Sequence, residues 1–360
     1  MNKMNGKNVL VYGMGTIGEP LIGLLTDFSD DLGLSDVLFH KRTPRTDDIP
    51  RILDLQSRGA KLVADHDKID SFKSMGLTPS YMTEDALIQS DVVLESTPTG
   101  IGLKNKENIY RYHEEDTLGF VAQGSEFGFG KMYAFGINES ALNPGDEKYI
   151  QVVSCNTHNI SVLIKTLAFE GDEDRLEKGD FVCIRRANDV RNDYDYISSP
   201  QVEGHKNPRF GSHHAEDAHH LFETMGYDLN IFSSAMKLNT QYMHTMRFTL
   251  TVKNKITLNE VLKKLEENPL ITLTEKTLAN QVFSFGRDHG YYGRILNQTV
   301  VSLPTLHVLN ENTIVGFCFT PQDGNALLSN VAIMQWFMHP ETYKERLDVL
   351  MSNKFLFARV

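Results

Sequence analysis

Short apolar runs alternate with stretches of helical periodicity over the first 155 residues, and this alternation constrains the fold more than any other property of the chain. Segments 8–12, 36–40, 61–64, 91–96, 119–123 and 149–153 read as strands; segments 17–28, 47–57, 83–89 and 105–113 read as helices. Strands separated by helices need right-handed crossovers, which produce a mainly parallel sheet covered on both faces. The expected class is α/β, with a Rossmann-type doubly wound parallel sheet as the first domain. After Cys155 the texture changes. One helix is expected at 159–169, and the rest reads as longer strands with period-two alternation, at 181–185, 233–239, 243–252, 299–303 and 313–319. Helices are expected at 257–268, opened by the capping sequence Thr257 to Glu260, and at 274–286. An α+β second domain with a mainly antiparallel sheet fits that pattern. Apolar helices over 325–337 and 341–351 are expected to pack back on the first domain, giving divisions at 1–155, 156–321 and 322–360.

Composition narrows the partners. A formal net charge of −11 disfavours nucleic acid and anionic membranes, although a few placed cations can still hold a small anion. Cys155, Cys183 and Cys318 are far apart with no CxxC spacing, which argues against disulfides or a cysteine zinc site and for a reducing compartment such as cytoplasm. The first eight residues lack a signal-peptide core, and no apolar run approaches the roughly 18 residues that span a bilayer. No metal site is expected.

Gly13, Gly15 and Gly18 form GxGxxG between the first strand and the first helix. Glycines there permit a tight turn and let backbone N–H groups approach a pyrophosphate at a helix N-terminus. An NAD site usually has an acidic residue about 20 positions on, for the ribose hydroxyl. Here the second strand ends in His40, Lys41, Arg42 and Thr43, so a 2′-phosphate is attracted and NADP is expected beside NAD. The alternative is that Lys41 and Arg42 form a solvated turn.

Ser154, Cys155, Asn156 and Thr157 follow the apolar Val152 and Val153 and precede a helix. A thiol at a helix N-terminus is activated because unpaired N–H groups and the dipole favour the thiolate. Most unpaired cysteines are merely small buried hydrophobes, which suits Cys183 and Cys318 inside apolar strands. Cys155 differs by lying at a strand-to-helix switch.

Seven motifs in order, YGMGTIG (12–18), STPTGIGLKNK (96–106), QGSE (123–126), VVSCNT (152–157), IRRAND (184–189), SHHAED (212–217) and PQD (321–323), resemble the archaeal-type phosphorylating glyceraldehyde-3-phosphate dehydrogenases over nearly the whole chain. The resemblance implies Cys155 as nucleophile and His244, on the stretch Tyr242, Met243, His244, as base. It implies that Ser154, Asn156, His213 and His214 meet the substrate. Thr16 and Ile17 would touch the cofactor pyrophosphate, Gly124 and Ser125 would approach the cofactor, and Arg186 and Gln322 would touch it from the second domain. Arg185 and Arg209 join the histidine pair as candidate holders of anionic groups, such as a phosphorylated aldehyde and inorganic phosphate. A homotetramer is also implied. The chain departs from the family pattern at Ser125, at His158, Asn159 and Ile160, and at Met246. On residues alone the histidine pair reads equally as a solvated polar loop, and His219 with His220 adds a metal reading that lacks further ligands. Two other functions remain open: a semialdehyde dehydrogenase sharing the cysteine, and a redox sensor in which Cys155 is oxidised.

Overall fold

The computed structural model describes residues 6–124, 126–188, 197–351 and 355–360. Ser125 and Asp189 of the motifs above fall outside them. The chain forms two compact units, each drawn from separate stretches: Met1–Lys131, Leu142–Val152 and Ser329–Val349 in the first, Met132–Ala141, Val153–Leu328 and Leu350–Val360 in the second.

The first unit is built on strands β1 (Lys7–Tyr12), β2 (Leu34–His40), β3 (Lys61–Ala64), β4 (Tyr81–Met82), β5 (Val92–Glu95), β6 (Gly119–Gln123) and β8 (Tyr149–Val152), with β7 (Lys131–Tyr133) sharing only Lys131 with it. Their order is β4-β3-β2-β1-β5-β6-β8-β7. Pairings from β4 through to β8 are parallel. Val9, Leu10 and Val11 are fully buried, as a central strand covered on both faces requires. The order runs outward in both directions from β1, so the sheet has a switch point between β1 and β5. At such a point the carboxyl ends of the strands leave a crevice. This is the doubly wound α/β sheet that the alternation implies.

Two local expectations shift. The helix expected at 105–113 is Ile101–Asn108, followed by a 3-10 turn at Tyr110–Tyr112. It starts early because Gly100 takes φ +83 and the Glu126 carboxylate accepts the Gly100 N–H, and the Leu103 N–H at 3.2 Å. The apolar helix expected at 325–337 is Leu327–Met338 and starts two residues later. From Ser329 on it belongs to the first unit, where Gln335 donates to Leu32 O at 2.8 Å and Asn330 to Gln123 Oε1 at 3.2 Å. The Phe337 ring lies so close to Gly119 that a Cβ there would sit 2.3 Å from it.

In the second unit β9 (Phe169–Glu170) and β10 (Glu173–Asp174) form a small hairpin. The main sheet holds β11 (Leu176–Arg185), β12 (Gln201–Val202), β13 (Ile231–Lys237), β14 (His244–Val252), β15 (Ile271–Thr274), β16 (Thr299–Leu309) and β17 (Thr313–Thr320), in the order β12-β13-β11-β14-β17-β16-β15. It is mainly antiparallel, with parallel pairs at β11–β13 and β15–β16. Strict alternation along β14 buries His244, Met246, Phe248, Leu250 and Val252 on one face. The helix expected at 274–286 is Ala279–His289, because β-branched Ile271 to Thr274 instead form β15 beside β16. The capping box at Thr257 and Glu260 is present. No helix among the described residues is long and apolar enough to cross a membrane.

Candidate active site

In the first unit the Gly-rich loop leaves β1 at the switch point and opens on a cleft of about 950 Å³. Gly13, Gly15, His40, Arg42, Ser96 and Ile101 are among the residues lining it. The three glycines answer different demands. Gly13 has φ +112 and lies where a Cβ would approach Ser96 O to 2.9 Å; at Gly18 a Cβ would reach Gly13 O at 2.2 Å. Both are therefore needed by the chain itself. Gly15 is exposed, and a Cβ there would meet only Ser96 O at 3.7 Å, an ordinary contact. A side chain at this position would point into open space at the cleft. Thr16 and Ile17, half-buried, lead directly into the helix Gly18–Asp27, whose N-terminal end faces the loop.

The loop is braced from the helix Ile49–Arg58. Arg51 donates to Glu19 Oε2 at 2.9 and 2.5 Å, to Asp48 Oδ1 at 2.9 Å and to Met14 O at 3.3 Å. Lys41, Arg42, Thr43 and Arg45 all line the cleft. Lys41 pairs with Asp48 at 2.5 Å and so is partly neutralised, whereas Arg42 is exposed. The sequence reading missed His40, which is buried, stacks on Tyr12 at 4.0 Å and meets Asp65 at 3.0 Å. His40 holds the Asp65 carboxyl below its ordinary range. A polar residue at a strand's carboxyl end was the available signal.

Gly124 adopts φ +67 at the end of β6, its N–H on Val152 O at 2.8 Å and its carbonyl accepting from Gln151 at 2.9 Å. Ser125, next to it, lies outside the described residues. Much of the neighbouring motif is scaffold. Glu126 caps the Ile101–Asn108 helix, and Lys106 donates to Phe129 O at 2.5 Å while lying 4.5 Å over the Tyr149 ring.

In the second unit Cys155 is the first residue of the helix Cys155–Ala168, and Ser154 is its N-cap, accepting from the Thr157 N–H. Cys155 is half-exposed, unlike Cys183 and Cys318, which are fully buried with thiols pushed up by burial. The helix starts four residues before the expected 159 because the Ser154 cap satisfies an N-terminal donor that the sequence pattern does not reveal. Asn325 donates to Cys155 O at 2.8 Å.

Around this helix start the buried polar groups form one network. His244 Nδ1 donates to Asn156 Oδ1 at 3.2 Å, and Thr320 donates to the same oxygen at 3.2 Å. Asn156 Nδ2 faces His214 Nε2 at 3.5 Å, and Asn159 donates to Thr320 Oγ1 at 2.7 Å. Cys318 in turn donates to Asn159 Oδ1 at 3.4 Å. Asn159, one of the departures from the family pattern, is thus built into the network rather than disrupting it. Met246, another, is fully buried between Cys183 and Cys318 in the strand register.

Burial holds His244 well below the ordinary histidine range, and Arg186 and Arg185 add to this; for His214 the causes are burial, then His213, Arg185 and His244. Both rings are therefore neutral at neutral pH. Arg186, buried, donates to Tyr242 O at 3.3 Å and lies 3.5 Å from Asp323 Oδ2. Gln322 donates to His244 Nε2 at 2.8 Å and accepts the His244 backbone N–H at 2.8 Å. So the two residues expected on the cofactor are, within this unit, engaged with the histidine strand.

A cleft of about 540 Å³ adjoins the network and is lined by Arg185, Lys206, Lys237, Ser212 and His213, with Glu203 and Glu216 as counter-charges. Arg185 pairs with Glu203 at 2.6 Å. His213 and His214 begin the helix His213–Glu223, so the solvated-loop alternative does not hold. Arg209 does not join the other cations: it pairs with the exposed Asp228 and stacks 4.7 Å over Phe210, because its neighbours draw it to the surface. His219 packs on Phe210 at 4.8 Å and His220 meets Glu223 at 3.0 Å. Among the described residues no group of histidine, cysteine and carboxylate side chains could hold a metal ion.

A doubly wound sheet with a GxGxxG crevice defines the class of a nucleotide-binding α/β protein, and in the second unit a half-exposed cysteine opens a helix whose next residue bonds a buried histidine. No family model matches the chain. It is 30% identical over 271 residues to glyceraldehyde-3-phosphate dehydrogenase of Saccharolobus islandicus, which covers 74% of this chain and 72% of that protein. The corresponding enzyme of Sulfolobus acidocaldarius is 28% identical over 312 residues, 85% of this chain and 84% of its own length. That of Pyrobaculum arsenaticum is 26% identical over 286 residues, 78% and 77% of the two chains. The chain belongs to the glyceraldehyde-3-phosphate dehydrogenase family, a family of oxidoreductases that use a nicotinamide cofactor.

Proposed function

We propose that this chain oxidises D-glyceraldehyde 3-phosphate to 1,3-bisphosphoglycerate, and runs the reverse, through a thioester on Cys155. The observation that carries the reading is the placement of Cys155 at a capped helix N-terminus, one residue from the Asn156 that hydrogen-bonds His244. Gly13, Gly15, Thr16, Ile17 and Gly18 are suited to hold the pyrophosphate of the cofactor, since Gly15 leaves open space at the cleft. Lys41 and Arg42 favour NADP over NAD, with Arg42 the more available because Asp48 claims Lys41. The nicotinamide, when bound, accepts a hydride from the substrate carbon.

The chain's own groups do the rest. The Cys155 sulfur adds to the aldehyde carbon and the thiol proton passes to the carbonyl oxygen, which gives a hemithioacetal. As the hydride departs, that hydroxyl proton passes to His244 Nε2, whose lone pair the Gln322 amide holds in the resting protein and releases to the substrate. The thioester carbon is then attacked by inorganic phosphate, the carbon–sulfur bond breaks, and the Cys155 sulfur is released. Ser154, Asn156, His213, His214 and Arg185 bind the substrate. Of these, His213 and Arg185, with Lys206 and Lys237, supply donors for anionic oxygens in the second unit's cleft.

The test is reduction of NADP and of NAD with glyceraldehyde 3-phosphate, with and without inorganic phosphate. Phosphate-dependent turnover is expected. Cys155→Ser should lose at least about a thousandfold in rate while retaining cofactor affinity within about twofold. Turnover with a semialdehyde alone, or a substantial residual rate in the variant, would overturn the proposal.

A further inference from the structure

Gln322 sits in the loop after β17 and makes two hydrogen bonds to one residue. Its Oε1, which can only accept, takes the backbone N–H of His244 at 2.8 Å; its Nε2, which can only donate, therefore faces His244 Nε2 at 2.8 Å. A ring nitrogen that accepts carries no proton, so the ring's proton is on Nδ1, where Asn156 Oδ1 accepts it. The Asn156 orientation is fixed independently, because Thr320 donates to the same oxygen. The two ends of the imidazole are thus specified by separate partners on separate elements.

The segments carrying both residues are also tied together. Tyr242, two residues before His244, has φ +84, and Asp323, directly after Gln322, has φ +61. Neither is glycine, so each backbone is held in a region that costs on the order of 1 kcal/mol or more. The Arg186 guanidinium contacts both, through Tyr242 O and the Asp323 carboxylate. One buried cation therefore sets the spacing between the loop and the strand end.

We propose that Gln322 is a positioning residue: its amide locks His244 in the Nδ1–H tautomer and occupies the Nε2 lone pair in the resting protein, keeping it unprotonated until Gln322 releases it to the substrate proton. This rests on His244 being the base of the proposed reaction. Protonation at Nε2 in the resting protein would set an N–H against the amide N–H₂, two donors with no acceptor. The charged and titratable groups around the ring act in the same sense. Arg186 and Arg185 come from the end of β11 and His214 from its helix, and none stabilises an imidazolium; the Asp323 carboxylate, next to Gln322, lies 3.5 Å from Arg186. Cys155 lies one residue from the Asn156 that holds the opposite face.

The experiment follows the His244 ring by nitrogen-15 NMR against pH, its signals assigned by their loss in His244→Gln, in the wild type, Gln322→Glu and Gln322→Met. The wild-type ring is expected as the Nδ1–H tautomer, neutral at pH 6. Gln322→Glu supplies an acceptor at Nε2, so its ring should carry the second proton at a pH at least one unit higher. The acid limb of kcat/KM should move up in pH by the same amount as the ring titration. Gln322→Met, of similar size and without a donor, should show mixed tautomers and so covers the case in which Gln322→Glu does not fold. An identical tautomer and titration in all variants that fold overturns the proposal. The NMR readout needs no substrate: a moved titration without phosphate-dependent turnover sinks the functional reading alone, and turnover with an unmoved ring sinks this one alone.

Discussion

His158 shows how one side chain can load the stability of the protein without entering its chemistry. It lies one turn into the Cys155 helix, fully buried, and its Nδ1 donates to Ser154 O at 3.0 Å, the carbonyl that also takes its backbone N–H at 2.9 Å. Burial lowers its pKa to about 4. In the unfolded chain the ring titrates near its ordinary value, so between roughly pH 6.5 and pH 4 the unfolded state binds the extra proton. Stability is thus present in full above about pH 6.5 and falls as the pH drops towards 4, by about 3 kcal/mol for a shift of this size. Urea unfolding of the wild type and of His158→Thr at pH 7 and pH 5 tests it: the wild type should lose more over that interval than the variant. Equal losses would mean the ring is not buried and neutral. The presence of this histidine was plain in the sequence as a departure from the family pattern, but its burial was not. The position of Cys155 at a strand-to-helix switch is written in local periodicity, whereas His244 was singled out only through the family resemblance, since the alternation of β14 by itself gives a core-facing strand residue. Gln322 and Arg186 were legible as residues and not as partners of His244, since their contact joins positions more than fifty residues apart.

At the scale of elements, the helix Ile101–Asn108 is the clearest case of a segment defined from outside itself. Its eight residues have no side-chain cap of their own, and its first turn contains no acidic residue. The missing acceptor comes from Glu126, whose carboxylate takes the Gly100 and Leu103 N–H groups. Gly102 is shaped to this contact, since a Cβ there would lie 3.3 Å from Glu126 Cδ. Replacing the carboxylate should therefore unravel the first turn: Glu126→Ala is expected to cost about 1–3 kcal/mol, as the loss of a charge-assisted cap at a helix N-terminus does. Denaturant unfolding of the first unit, followed by the fluorescence of bound cofactor, measures it; a change below a few tenths of a kcal/mol would show that water replaces the carboxylate. This also explains why the helix was expected four residues too late. Periodicity begins with the apolar and charged pattern inside a helix, whereas its start is set here by a residue on another strand's loop. The same limit applies to β15, a strand that the sequence reading left unassigned and that its pairing with β16 defines.

For the molecule as a whole, the alternating first half and the strand-rich second half were readable, because each class has its own hydrophobic period. The return of the C-terminal helices to the first unit was expected from their apolar character; what no local pattern could show is that the second unit also takes in Met132–Ala141 and Leu350–Val360. The stretch Ser329–Val349 completes the first unit, bringing Gln335 to Leu32 and Phe337 to Gly119. A chain ending at Leu328 should accordingly lose cofactor binding and cooperative unfolding of the first unit, even though the whole Gly-rich loop remains; circular dichroism and cofactor titration would show it, and retained binding would contradict it. The order of the stretches also sets a timetable. Roughly 180 residues separate Val152 from Ser329, which at about 5–20 residues per second is on the order of 10–35 s of synthesis. For that interval on the ribosome the doubly wound sheet waits with the seat of its last helix uncovered, while the later unit emerges. The nascent chain, rather than the finished protein, is then the form most in need of a chaperone.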